Sequence, residues 1–238
     1  MLASTKAIVL HKVKYSETSL VIQVFSREYG KISILVNGVR KNKSRTKSAL
    51  FEPLSIIEFA GNFKNTEKLI HPNGIKLTYP FIGIQTHMAK RMMALFLSEI
   101  LHKSIKEPQP DPEMFDYMEG ALKFLDISSS NYANFHLVFL FQLTRYLGFY
   151  PRLSDGEYFN MMEGNFSSNY LNTPSYLHGE TVTHFRNVLG TKFDTLSALE
   201  LNNIQRRETL QSIISYYQIH IHGLGEIHSH HILEKLFK

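Results

Sequence analysis

Leu20-Val21-Ile22-Gln23-Val24-Phe25-Ser26-Arg27-Glu28-Tyr29-Gly30-Lys31-Ile32-Ser33-Ile34-Leu35-Val36 decides the fold of the first third of this chain. Two runs rich in β-branched residues flank Ser26-Arg27-Glu28-Tyr29-Gly30, and Gly30 can supply the positive φ of a tight connection. The runs read as strands of a hairpin. Upstream, Ala7, Val9, His11, Val13 and Tyr15 alternate with Ile8, Leu10, Lys12 and Lys14, which predicts another strand. Downstream, Leu54-Ser55-Ile56-Ile57-Glu58-Phe59 predicts a fourth, Gly61-Asn62 a turn, and Glu67-Lys68-Leu69-Ile70-His71 a short fifth ended by Pro72. Five strands in so short a segment suit a small closed β barrel, of the OB or the SH3-like type; spacing alone leaves both open.

Beyond Pro80 the period changes. Met88, Met92, Leu95, Phe96, Glu99 and Ile100 recur at helical steps, predicting a helix over 83–105 that Glu107-Pro108-Gln109-Pro110 stops. Asp111 ahead of Pro112 is a cap and start for a second helix, and Asn134 opens a third. Residues 151–180 lack a long period and read as a hairpin-like insert, after which 182–189 and 203–221 return to helix. The expected architecture is multidomain α+β. Residues 1–79 form a β-barrel and 80–238 a mainly helical domain carrying the insert.

The chain of 238 residues holds thirteen Lys and Arg against five Glu and no Asp in residues 1–80, but thirteen against sixteen acids in the remainder. Its basic character therefore belongs to the N-terminal third. The charge concentrates in Gly38-Val39-Arg40-Lys41-Asn42-Lys43-Ser44-Arg45-Thr46-Lys47, with five cations between residues 40 and 47 and no acid. Charge this dense resists burial and suits a polyanion, of which the phosphate backbone of nucleic acid is the commonest. Lys12, Lys14, Arg27 and Lys31 lie on neighbouring strands and extend the expected basic face. Contacts from such residues go to phosphate and are sequence-tolerant. Tyr15, Phe25 and Tyr29 are aromatic candidates for stacking, though inward aromatics of a barrel are core.

Enzyme constellations are missing. No Gly-x-Ser-x-Gly, His-Glu-x-x-His or complete Gly-x-Gly-x-x-Gly occurs, and Gly38 to Ser44 fails as a phosphate-binding loop because Lys43 stands where the second glycine belongs. There is no cysteine, which removes disulfides and thiolate metal sites. His220, His222, His228, His230 and His231 crowd together, but only His228 and His231 are spaced to share a helical face, and no carboxylate is clearly placed beside them; a metal-dependent enzyme built on them is the weakest reading. His230 and His231 are expected to diverge. Asp111, Glu113, Asp116 and Glu119 gather where a helix dipole favours acids, and Met88, Met92, Met93, Leu95 and Phe96 read as helix core. No leader and no run approaching the roughly 18 apolar residues of a membrane span is visible, so a cytoplasmic protein is expected.

Lys6-Ala7-Ile8-Val9-Leu10, Tyr15-Ser16-Glu17, Phe25-Ser26-Arg27-Glu28-Tyr29-Gly30-Lys31 and Asn37-Gly38-Val39-Arg40-Lys41 together resemble the N-terminal domain of the RecO family of bacterial recombination mediators. Arg145-Tyr146-Leu147-Gly148-Phe149-Tyr150-Pro151 is similar to that family's helix end ahead of its insert. The resemblance implies an OB-fold barrel, a helical domain, no catalysis and no cofactor. It implies binding of single- and double-stranded DNA, annealing of complementary strands, and partnership with RecR and the acidic tail of single-stranded DNA-binding protein, so that RecA reaches gapped DNA. Lys31, Arg40 and Lys41 match the family's DNA-contacting features, and Lys43, Arg45 and Lys47 extend them. Many members carry a four-cysteine zinc ribbon where this chain has none; Tyr158, Phe159, Met161, Met162 and Phe166 are expected to hold the insert instead. The competing reading is a protein-interaction adaptor whose basic loop grips an acidic partner tail.

Overall fold

A computed structural model describes residues 2–39, 48–106, 108–231 and 233. They fall into two compact units, Met1–Asp126 and Ile127–Lys238. The change from strands to helices comes near residue 80, but the first unit continues well beyond it.

The first unit is built on a five-stranded antiparallel sheet of β1 (Ala3–Lys14), β2 (Leu20–Ser26), β3 (Gly30–Val36), β4 (Ile56–Gly61) and β5 (Asn73–Tyr79), in the order β3-β2-β1-β4-β5. Central β1 pairs with β2 along its second half and with β4 along its first. A bulge between Val9 and His11 interrupts the first ladder. Ala7, Val9, Ile22, Val24, Ile32, Ile34, Ile57 and Phe59 fill one face of the sheet. Ile8, Leu10, Phe25 and Ile56 are buried on the other. The run Ala7-Ile8-Val9-Leu10 is apolar without alternation because both of its faces are covered. At the β2–β3 turn Gly30 has φ 66°, and a side chain there would collide with the carbonyl oxygens of Pro108 and Gln109.

The sheet departs from the expected barrel at its seam. The strand expected at 67–71 is absent, and β5 begins after Pro72 instead. Proline has no N–H to donate, so a ladder cannot pass through it. Ile70 makes a lone parallel bridge to Ile34, with Leu35 N–H donating to Ile70 O at 2.8 Å and Ile70 N–H to Ser33 O at 2.9 Å. The outer strands β3 and β5 share no ladder, so the sheet is not a closed barrel.

Helices cover the second face of the sheet. The single helix expected over 83–105 is two, α1 (Gly83–Thr86) and α2 (Met88–Ser104), separated by His87 in extended conformation. Asp126 fixes the start of α1: its carboxylate accepts the N–H of Ile84 at 2.8 Å and of Ile82 at 3.3 Å, while its carbonyl accepts Lys90 Nζ at 2.8 Å. These bonds tie the start of α1 to the end of α3 (Pro112–Ile127). Asp111 caps α3 as expected, accepting Met114 N–H at 2.9 Å. Ser98 of α2 donates to Leu10 O at the bulge, at 2.5 Å, and Phe115 of α3 lies 6.4 Å from the Phe25 ring.

The second unit contains α4 (Phe135–Tyr146), a small sheet of β6 (Tyr158–Asn160), β7 (Asn165–Ser167) and β8 (Tyr176–Leu177), then α5 (Glu180–Gly190) and α6 (Asn203–His220). Asn202 and Gln205 form a reciprocal capping box that starts α6. The insert is a sheet, with Phe159 opposite Phe166 and their rings 4.9 Å apart. Phe159 also meets Phe185 at 4.5 Å and Tyr216 at 5.6 Å. Phe159, Met161 and Phe166 are buried as expected, and Tyr158 stacks on Tyr170 at 4.7 Å. Met162 is 59% exposed and holds nothing: the turn that follows β6 points it outward.

Candidate nucleic-acid interface

The five cations Arg40, Lys41, Lys43, Arg45 and Lys47 lie outside the described residues. The chain on either side of them is well anchored. Val39 and Phe51 are buried in the inner cluster of the sheet, and Gly38, at φ 72°, turns the chain out of β3. The described residues on either side of the stretch are thus held by apolar packing.

Lys31 is placed differently from what its charge predicts. It lies on β3 opposite Phe25, and its Nζ donates to the carbonyls of His102 and Ile105, each at 2.6 Å. These carbonyls end α2, where helical C=O groups lack intrahelical partners and the dipole is negative. Burial lowers the Lys31 pKa below its ordinary value, helped by nearby Lys106. Arg27 turns toward α3, gripping the two oxygens of Asp116 through Nε and Nη2, both at 2.8 Å. The pair holds Asp116 below the usual carboxylate range, chiefly through that hydrogen bond. Lys12 lies 3.3 Å from Glu52 and Lys6 3.8 Å from Glu119.

The expected continuous face of Lys12, Lys14, Arg27 and Lys31 is therefore divided. Arg27 and Lys31 serve packing of helices against the sheet, while Lys14, Lys64 and Lys68 are exposed. The acids follow the same logic: Asp111 caps, Asp116 holds Arg27, and Glu119 accepts Lys123 at 2.6 Å. Of the aromatic candidates, Phe25 is buried and Tyr29 stacks on Phe63 at 3.9 Å; Tyr15 is 62% exposed.

A cavity of about 450 Å³ lies between the end of β3 and residues 71–75, with Asn37, Phe51, His71, Asn73 and Ile75 in its walls. Periodicity gave no hint of it. Its only trace in the sequence is Pro72-Asn73-Gly74, a turn signature that displaces β5 and leaves the seam open.

The late histidines do not assemble. His220 lies 2.8 Å from Met161 O and stacks on Phe149 with centroids 5.1 Å apart. His230 and His231, expected to diverge, have ring centroids 3.8 Å apart, close enough for the two rings to touch. Among the described residues no three His, Asp or Glu are grouped to hold a metal ion, and no helix is long and apolar enough to cross a membrane.

The chain thus has an N-terminal third rich in Lys and Arg, which contains the sheet, and a mainly helical remainder, and the comparisons with known proteins fall on both. The family profile "Recombination protein O N terminal" matches residues 1–81 and "Recombination protein O C terminal" matches 86–226. Similar relatives are DNA repair protein RecO of Bacteroides fragilis, 34% identical over 242 residues, and that of Flavobacterium johnsoniae, 35% identical over 240. DNA repair protein RecO of Christiangramia forsetii is 33% identical over 240 residues, and all three alignments cover 100% of both chains. The chain belongs to the RecO family of DNA repair and recombination proteins.

Proposed function

We propose that this chain is a non-catalytic recombination mediator that binds single- and double-stranded DNA and anneals complementary strands. In this reading it acts with RecR and the acidic tail of single-stranded DNA-binding protein to bring RecA onto covered single strands. The observation that carries the reading is the match to both halves of the RecO family over nearly the whole chain. The charge distribution supports placing DNA on residues 1–79, with residues 80–238 as the helical domain that meets partners. The strand order, with a parallel bridge from β3 to Ile70, supports an OB-type sheet that stays open at its seam.

Arg40, Lys41, Lys43, Arg45 and Lys47 are the phosphate-contacting residues in this reading. Lys31 anchors the strand that leads to them; a phosphate contact would require it to leave two carbonyls. The test is binding of a mixed-sequence single strand across a salt series. Neutralising about five phosphates gives a log-log slope of roughly −3 to −4. Changing the five cations together to Ala should flatten the slope and abolish annealing, and unchanged binding would remove the loop from the interface. High-affinity capture of the acidic tail, with DNA bound only at low salt, would favour the adaptor instead.

A further inference from the structure

The seam of the sheet leaves a slot with its own chemistry. Past the Ile34–Ile70 bridge, β3 continues to Val36 while the opposite chain passes through Pro72 and turns at Gly74, which has φ 63°. The cavity between them, about 450 Å³, falls within the range of small-ligand sites, about 300–1,000 Å³. Half-buried Leu50 and Ile75 give it apolar walls above the core residues Phe51 and Val36. Among the described residues its side-chain polar groups are the amides of Asn37 and Asn73 and the imidazole of His71. Asn37 Oδ1 accepts a hydrogen bond from Ser19 Oγ at 2.8 Å, which orients the amide and leaves Nδ2 to donate elsewhere.

Among the described residues neither a carboxylate nor a Lys or Arg lines the slot, and the groups that do line it suit a neutral, hydrogen-bonding ligand. The ligand should be flat enough to enter between two chain segments, apolar on its faces, and able to exchange hydrogen bonds at its edge. A nucleobase has these properties, and imidazole is one of the rings on which unstacked bases settle. Asn37 and Leu50 also flank, along the chain, the residues assigned to phosphate contacts.

We propose that this slot takes one unpaired base of a DNA strand, with His71 against its face and Asn37 and Asn73 at its edge. The inference rests on the DNA-binding reading above and deepens it. Side-chain amides both donate and accept, so any of the four bases can be received. A paired base has its Watson–Crick edge occupied and cannot leave its stack without cost. The slot therefore supplies a preference for single strands that phosphate contacts alone do not give.

The test uses the full chain with three probes of equal length: an oligothymidylate, an all-abasic strand and a duplex. The variants are His71→Ala, Asn73→Ala and His71→Phe; both side chains are exposed, and melting temperatures check that each variant folds. Wild type should bind the abasic strand roughly five-fold or more weakly than oligothymidylate, as loss of one stacked base implies. His71→Ala and Asn73→Ala should weaken oligothymidylate binding without a further loss on the abasic strand or the duplex, and with the salt slope unchanged. His71→Phe should restore stacking. Equal loss on all three probes, or wild-type affinity for oligothymidylate in both Ala variants, overturns the slot. Failure of the underlying reading looks different: wild type then shows no salt-dependent affinity for any probe, and the slot proposal falls with it.

Discussion

Lys31 shows how little a residue's type says about its task until its neighbours are known. Its charge and its match to the family pattern were legible; the carbonyls of His102 and Ile105 that hold it are more than seventy positions away, beyond any local spacing. Lys31→Met keeps the aliphatic stem and removes both charged hydrogen bonds. It should lower the unfolding free energy of the first unit by about 1–2 kcal/mol, discounted for partial exposure, and denaturant titration measures this. His136 gives a second test at this scale. Burial, aided by Arg206, pushes its pKa down to about 3. Its unfolded form titrates near 6.5, so below that pH the unfolded chain binds a proton that the folded chain refuses. Stability from His136 is therefore full above pH 6.5 and falls as pH drops toward 3, by at most about 1.4 kcal/mol per pH unit. Melting of the second unit from pH 7 to 5 should show this loss, and His136→Gln should reduce its slope.

Elements were more legible than their limits. The β-branched runs and the capped helix starts appear where the period places them, because they depend on neighbours within a few residues. Two boundaries moved for reasons the period does not encode. Pro72 displaced β5, and the bonds to Asp126 fixed where α1 starts, far along the chain from their partner. The insert is the clearest case of an element held by contacts from far along the chain. Phe159 is fully buried among Phe166, Phe185 and Tyr216, so Phe159→Ala should cost the second unit about 3–5 kcal/mol. A drop in its melting temperature measures the effect. A chain without cysteine has no thiolates for a metal to bind, and a strong chelator should leave that temperature unchanged.

For the whole molecule the decisive fact is that sheet and helices of the first unit share a face. Ile8, Leu10, Phe25 and Ile56 are buried away from the inner cluster, and Phe25 is covered from α3. A fragment of residues 1–79 would expose that face and should aggregate. Residues 1–126 should give a sharp melting transition and, in the proposed function, retain the salt dependence of the full chain. Thermal melts and salt titrations of the two fragments separate these outcomes. The sequence marked the change of period at Pro80, but a period reports an element's own repeat and not what covers its far side. The lone bridge at Ile70 has a dynamic consequence. Among the described residues the backbone bonds across the seam are the two of Leu35 and Ile70, whereas the β1–β2 ladder is held along its length. These two amide protons should exchange with solvent ahead of those at the centre of β1, as expected where few bonds resist local opening. An opening of this kind would vary the width of the sheet's mouth, and in the proposed function a bound strand should slow exchange at those two positions.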